Sequence, residues 1–346
     1  MKHAPTEEIT SEVRSVVGDV YLVGGSVRDS LLGRQAKDYD FCTALEPDQI
    51  EERVKEAGKH AYAIGKRFGT IGFKCLGEYV EVTTFRTERY SGQSRKPEVQ
   101  FVADINQDLG RRDFTINAIA QRGGRLIDPY RGVADLRERT IRPVGNGTER
   151  VKEDPLRMLR AARFAAQLGF DVDPGFIVTM RKHSHRIMQV SRERWIAEMD
   201  KLLMSADPVK GLDVLAESQL LKFILPELWI QVGYDQHSPY HELTLWEHTT
   251  STVALAPHDL DLRWAVLLHD VGKPFVRTEK NEHQSNYVMH DVVGPYIAEG
   301  ITARLKFSNS RRDTIVGTIR HHLEESSPLR MADNGSKTKL PLGDAV

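Results

Sequence analysis

The sequence predicts an α+β protein, in which a head with a mixed β-sheet and helices is followed by an all-helical remainder. Three observations predict it. Tyr21 to Thr43 reads YLVGGSVRDSLLGRQAKDYDFCT, where a short apolar, β-branched and aromatic run meets paired glycines, a stretch of helical spacing and then an alternating segment. Cys42 and Cys75 stand in strand-like contexts, and a polar stretch from Arg86 to Val99 separates two further strand-like runs. From Glu153 onward apolar residues recur at helical intervals: Leu156, Leu159 and Phe164, then Ile196, Met199 and Leu203, then Leu212, Leu215 and Leu220.

Val20 to Val23 is a strand that stops at Gly24 and Gly25. Val27, Leu31 and Leu32 then mark a short helix that ends at Gly33, so its N-terminal amides lie beside the glycine turn. Free backbone N–H groups and the positive end of a helix dipole suit a triphosphate, and Arg28 can add a bidentate charge-assisted contact. Asp38 and Asp40 follow in the alternating segment Lys37 to Thr43, where residues two apart point to one face of a strand. Two carboxylates that close repel unless a cation sits between them, and Mg²⁺ takes one or two carboxylates together with substrate phosphates.

Arg86 to Val99, RTERYSGQSRKPEV, is too polar for a core and predicts a mobile surface loop. Between Asn106 and Gly110 a polar loop gives way, after Arg111, Arg112 and Asp113, to an apolar helix beginning near Phe114. Asp113 is there either an N-cap or a ligand contact. In EDPLRMLRAARF, Asp154 and Arg157 are three apart on one predicted helix. They are either an ion pair or a carboxylate and guanidinium that together read the Watson–Crick edge of cytosine or adenine. Arg181 to Arg194, RKHSHRIMQVSRER, is the best local basic patch for RNA, with Arg181, Lys182, Arg192 and Arg194 as its cations; a solvated helix face is the alternative.

With 346 residues, 40% of them hydrophobic, the chain can bury a large core in two or three domains. A net charge of -1 supplies no global basic field for RNA, so contact must come from a local patch. Two cysteines make no disulfide framework. The start MKHAPTEEIT lacks an apolar signal region, and no run of apolar residues suffices to cross a membrane, so the expected location is the cytoplasm.

GGSVRDSLLG followed by DYD resembles the head-domain signature of the bacterial and eukaryotic type of tRNA nucleotidyltransferase and poly(A) polymerase, within the DNA polymerase β superfamily. EVTTFR, from Glu81, is similar to the strand facing the metal site and offers Glu81 as a third catalytic carboxylate beside Asp38 and Asp40. RRDFTIN resembles the motif that distinguishes ribose, which implies that Arg112 contacts phosphate, Asp113 a ribose hydroxyl, and Asn117 the same nucleotide site. DPYRGVADL, from Asp128, resembles the hinge between head and neck. EDPLR resembles the protein template for the incoming base, implying nucleotide contacts from Asp154, Arg157, Arg160 and Arg163 in addition to Gly24, Gly25 and Arg28. The loop after Arg86 is, under this resemblance, the segment that helps to pass from adding cytidine to adding adenosine.

The implied activity is addition of the 3′-terminal CCA, or part of it, to tRNA from CTP and ATP with Mg²⁺, with release of pyrophosphate. Addition of A alone and poly(A) synthesis share these motifs.

A second constellation comprises His248, His269, Asp270, His290, His321 and His322. Neutral imidazoles and a carboxylate spread over helices suit a divalent transition metal such as Ni²⁺, Mn²⁺ or Co²⁺; packed or exposed histidines are the alternative. The set resembles the HD phosphohydrolase superfamily, with His248, His269 and Asp270 as the closest matches. Its usual closing aspartate has no evident counterpart, which leaves Asp291, His290 or His321 to substitute. An HD phosphohydrolase acting on nucleotides or cyclic phosphates is thus a second functional reading, and a non-catalytic tRNA-binding protein a third. The expected layout is a catalytic head over residues 1–140, a helical neck over 141–205, a helical HD body over 206–325 and a frayed polar tail over 326–346.

Overall fold

The computed structural model describes residues 6–36, 38–89, 98–237, 243–281, 284–324 and 326–336. The chain divides into two compact units, Met1–Asp154 and Pro155–Val346.

The first unit is α+β, as expected. Helix α1 (Thr6–Val17) leads into strand β1 (Tyr21–Val23), helix α2 (Gly25–Leu31), strand β2 (Tyr39–Thr43), helix α3 (Pro47–Glu56) and the antiparallel strands β3 (Thr70–Cys75) and β4 (Glu78–Thr84). A hairpin of β5 (Arg86–Arg89) and β6 (Glu98–Phe101), helix α4 (Ile105–Gly110), strands β7 (Ala120–Arg122) and β8 (Arg125–Ile127), and helices α5 (Gly132–Arg137) and α6 (Gly147–Glu153) complete it. The six-stranded sheet runs β3-β4-β2-β1-β7-β8. Only β2 and β4 pair in parallel; the other neighbours are antiparallel.

Alternation sets the two faces of this sheet. In β4, Val80 and Val82 are fully buried while Tyr79 and Glu81 are exposed. The buried face, with Ile71, Phe73 and Phe41, packs beneath α1 and α3, whose Ile9, Val13, Ile50 and Val54 form stripes of helical period. On the opposite face Cys42 is covered by Ile105 and Leu109 of α4, and the carboxylate end of β2 lies beyond that cover.

Three expectations are corrected here. Arg86 to Val99 does not form a loop throughout: Arg86–Arg89 pairs in antiparallel register with Glu98–Phe101, and residues 90–97 lie outside the described residues. The predicted helix near Phe114 is a single 3₁₀ turn, Thr115–Asn117, capped by Phe114 and not by Asp113. The segment expected as a hinge forms an ordered turn inside the first unit. The Asp128 carboxylate accepts from the amides of Gly132 (2.6 Å) and Val133 (2.9 Å) at the start of α5. A Cβ on Gly132 would stand 2.2 Å from the Thr115 carbonyl oxygen and 2.8 Å from Ile119. Gly132→Ala is therefore expected to cost about 3 kcal/mol, the upper end for overpacking, read from the denaturant midpoint of unfolding.

The second unit is helical apart from short extended pieces: α7 (Leu156–Leu168), α8 (Pro174–His183), α9 (Arg192–Leu203), α10 (Pro208–Glu217), the single turns α11 (Leu221–Ile224) and α12 (Pro226–Trp229), α13 (Leu245–Leu255), α14 (Leu260–Leu268), α15 (His290–Arg304), α16 (Asn309–Arg320) and α17 (Pro328–Gly335). Helices α7, α9 and α10 approach closely because Gly211 presents only hydrogen to Ala166, Leu202 and the Ala162 carbonyl, each within 2.9 Å of where a Cβ would be. Trp264 on α14 is buried and donates to Asp200 on α9 at 2.7 Å. Of the last segment, expected to fray over 326–346, Pro328–Gly335 instead forms α17, with Leu329 fully buried, packed against α13 and α14, and residues 337–346 lie outside the described residues. Among the described residues no helix is long and apolar enough to cross a membrane.

Candidate active site and metal centre

The glycine turn forms as the sequence implies. Gly24 adopts φ +68°, open to glycine at little cost, and the Arg112 guanidinium lies 2.9 Å from where its Cβ would be. Ser26, in the first turn of α2, then fastens the turn to β2: its hydroxyl donates to the Asp38 carbonyl at 2.8 Å and accepts from the Asp40 amide at 3.3 Å. Sequence reasoning missed Ser26. A small polar residue beside paired glycines, on a helix flank that has to meet the next strand, was the available signal.

Asp38 directly precedes β2 and is exposed; Asp40 lies within the strand and is half-buried. Parallel pairing places Asp40 beside Glu81 on β4, so the three acids share the open face of the sheet. Burial raises the Asp40 carboxyl above the usual carboxylate range; Arg112 opposes this and Asp38 adds to it. Glu81 is raised by burial, then by the charges of Asp40 and Asp38. The acids thus disfavour one another's charge, which is the electrostatic condition a hard cation relieves.

Around them the ribose-type motif is bound into the turn. Arg28 donates to the Asn117 side-chain oxygen at 2.7 Å and to Asp29 at 2.9 Å, while Asn117 donates to Asp113 at 3.0 Å. Asp113 also accepts from the Phe114 amide at 2.8 Å. Fully buried Asp108 receives Arg111 at 2.8 Å and Arg112 at 3.2 Å. Burial works against its charge, yet Arg112 and Arg111 hold its carboxyl below the usual range. Asp108 was not anticipated either.

In the second unit, Arg157 and Arg163 on α7 are more than nine-tenths buried. Arg163 pairs with Glu198 on α9 at 2.6 Å, and Arg160 stands 3.9 Å from the same carboxylate. Asp154 does not share that helix. It caps α6 in extended conformation (φ -140°, ψ 101°), and α7 begins after Pro155. The residue before a proline is disfavoured from the α region, so EDPLR contained the signal that separates the two side chains. Arg181 and Lys182 are exposed at the end of α8, and Arg194 is exposed in the first turn of α9. Arg192 lies 3.8 Å over the Trp195 ring.

The His/Asp constellation is also brought together, with His290 in it as expected but with a carboxylate that was not anticipated. His248 on α13, His269 and Asp270 after α14, and His290 at the start of α15 converge, the first three each at most 2% exposed. The closing carboxylate is Asp333 of α17: its Oδ1 lies 3.0 Å from His248 Nε2 and 3.6 Å from His269 Nε2. His322 is the inward member of the final pair, its Nε2 3.2 Å from His290 Nε2. His321 turns outward to Glu324 at 2.6 Å and does not substitute for the missing aspartate. Asp291, in the first turn of α15, is not among the carboxylates paired with these histidines.

Ligand atoms of His248, His269 and Asp270 lie within 4.8 Å of one another, as do those of Asp270, His290 and His322. Nδ1 of His269, His290 and His322 each face a backbone carbonyl at 2.6–2.8 Å. Those contacts hold the rings with Nε2 aimed at the cluster, as metal-binding imidazoles require. Lys273 reaches Asp270 at 2.7 Å.

Comparison with known proteins bears on both sites. Residues 20–142 match the poly A polymerase head domain, 169–231 the probable RNA and SrmB-binding site of polymerase A, and 245–340 the HD domain. A CCA-adding enzyme of Lactococcus lactis subsp. cremoris (strain MG1363) is 37% identical over 291 residues, which span 81% of this chain and 68% of that one. A CCA-adding enzyme of Streptococcus mutans serotype c is 38% identical over 231 residues, 65% of this chain and 57% of its own length. The crystal structure of the Bacillus stearothermophilus CCA-adding enzyme in complex with CTP superposes with a TM-score of 0.64 at 28% identity, covering 96% of this chain and 82% of that one. The same fold recurs, at 21% identity and a TM-score of 0.58, in a tRNA nucleotidyltransferase complexed with a primer tRNA and an incoming ATP analog; 90% of this chain and 93% of that one are covered. By its head, its helical remainder and the extent of these matches, the chain belongs to the CCA-adding enzymes of the class II tRNA nucleotidyltransferase family.

Proposed function

We propose that this protein adds CCA to the 3′ end of tRNA from CTP and ATP, releasing pyrophosphate, with selection by protein side chains. The observation that carries the reading is the row of Asp38, Asp40 and Glu81 on one open sheet face beside the turn at Gly24. The acids fit Mg²⁺, which when bound supplies Lewis-acid stabilisation of an in-line displacement at the α-phosphate. Arg112, held over the glycine turn by Asp108, faces the triphosphate. Asp113, oriented by Asn117, accepts from a ribose hydroxyl, and Arg157 donates to the base. Exposed Arg181, Lys182 and Arg194, with Arg192 beside them, meet the RNA backbone.

The His/Asp cluster fits a divalent transition metal, Ni²⁺, Mn²⁺ or Co²⁺. His248, His269, Asp270 and Asp333 would hold it, with His290 and His322 as donors on the far side of Asp270. Metal analysis of protein loaded with Ni²⁺ and desalted is expected to find bound metal in the wild type and less than a tenth as much in His248→Ala. Phosphohydrolysis as the main activity is not favoured, because the matched relatives are CCA-adding enzymes. Buried, unpaired thiols at Cys42 and Cys75 and a tRNA substrate support the cytoplasm as the compartment.

The test is extension of tRNA ending at the discriminator base, at C and at CC, with CTP, ATP or both. Arrest at CCA from every start is the expected result. Extension of the CC substrate alone would mean an A-adding enzyme, and long A tails a poly(A) polymerase.

A further inference from the structure

The open face of the head sheet continues past the carboxylates into aromatic side chains. Neighbouring strands lie about 4.8 Å apart. One step from Asp40 reaches its partner Glu81, the next reaches Gly72, paired with Glu81, and the next reaches Tyr62, bridged to Gly72 by two backbone hydrogen bonds of 2.7 and 3.0 Å. Tyr79 stands on the same face two residues from Glu81, and the hydroxyl end of its ring lies over Gly72. A Cβ on Gly72 would fall 2.0 Å from the Tyr79 hydroxyl oxygen, so the glycine is what lets the ring lie there. The Tyr79 and Tyr62 rings are 5.8 Å apart, and His60 meets Tyr62 edge-on at 4.7 Å.

This aromatic run is not core. Tyr79 is 48% exposed, Tyr62 is half-buried and His60 is exposed. Burial and then the Glu81 charge raise the Tyr79 hydroxyl above its ordinary value, consistent with a ring beside the carboxylate row. Lys74, in register with Tyr79 on β3, is exposed on the same face and adds a cation where a nucleic-acid backbone would pass.

We infer that Tyr79 and Tyr62 form a stacking platform for the 3′-terminal base of the acceptor RNA, whose terminal hydroxyl reacts at the adjoining carboxylates. A strand carrying its reactive hydroxyl at Asp40 and Glu81 must put its last base a few ångströms to one side. Every base offers a face to a ring, so a platform accepts a terminus that changes with each addition. The inference rests on the nucleotidyl-transfer reading.

The test is steady-state addition of A to a tRNA minihelix ending in CC, compared with the same RNA abasic at its last position. Tyr79→Ala is expected to raise KM for the intact RNA about tenfold, the scale of one stacked base, while KM for ATP changes by less than about twofold. Wild type on the abasic RNA should show a matching rise, and Tyr79→Ala on the abasic RNA no further one. Tyr79→Phe, which retains the ring, should recover most of the loss. Equal losses on intact and abasic RNA would reduce Tyr79 to packing over Gly72 and overturn the inference, as would a rise in KM for ATP alone. No addition by the wild type to intact RNA would instead overturn the transfer reading and the platform with it.

Discussion

Asp40→Asn is expected to lower nucleotide incorporation by about a thousandfold or more, since the metal-held carboxylate stands for several kcal/mol of transition-state charge stabilisation. The same change is expected to make the protein more stable in the absence of divalent cations. Burial and Asp38 raise the Asp40 carboxyl more than Arg112 lowers it, so its charged form is a cost to the folded state. For a carboxylate whose folded value lies above the unfolded one, stability rises as pH falls through that value, and an uncharged amide removes the cost at neutral pH. Melting in EDTA should therefore shift upward for Asp40→Asn, and the stabilisation that Mg²⁺ confers on the wild type should disappear. Near wild-type incorporation by a folded Asp40→Asn protein would sink the assignment of the metal site.

Asp270→Asn is expected to act in the opposite sense, by destabilising the second unit. Asp270 is 2% exposed among His248, His269 and Lys273. Burial works against its charge, but His269 and Lys273 hold its carboxyl well below the usual 3.8. His269 is pushed up to about 10, because Asp270 and Asp333 outweigh the burial that opposes its charge. Removing one partner of such a buried pair typically costs about 3–5 kcal/mol, or roughly 10 °C in melting temperature for a unit of this size. The pH dependence follows. The depressed Asp270 contributes stability that is present above its ordinary value of 3.8 and lost as pH falls through its folded value. The raised His269 contributes stability that is full below 6.5 and lost as pH rises toward about 10. Metal-free wild type should show a broad stability maximum between these limits, flattened in Asp270→Asn. An unchanged melting profile across that range would contradict the pairing.

The head site was legible because its signals are contiguous. Strand, glycine turn, helix and DYD fall within Tyr21–Thr43, each carrying its own local preference, and Glu81 sits in a β-branched strand whose alternation fixes its face. The HD pair was legible as a motif for the same reason. Asp333 was not, because α17 is only eight residues long, bounded by Pro328 and Gly335, and its order comes with burying Leu329 and with the Ser336–Thr252 contact at 2.7 Å. A helix this short is marginal by itself, so its order follows from contacts made far away in the sequence. The β5 half of the hairpin was missed for another reason: RTER has no apolar residue to reveal a period of two, although its partner EVQF alternates. Ser26 and Asp108 are polar residues whose burial follows only from what packs against them.

The place of β1 in the head sheet has a kinetic consequence. Its two partners come from far apart in the chain, β2 directly after the glycine turn and β7 only at Ala120, and the Gly24 amide itself donates to the Ile119 carbonyl. Closing so long a loop comes before the contacts that reward it, so the head is expected to fold slowly and as one cooperative event. During synthesis a nascent chain that already displays GGSVRD and DYD still lacks the strand that fixes the turn. Nucleotide affinity should therefore emerge all at once as β7 docks, leaving incomplete heads unable to sequester ATP or CTP.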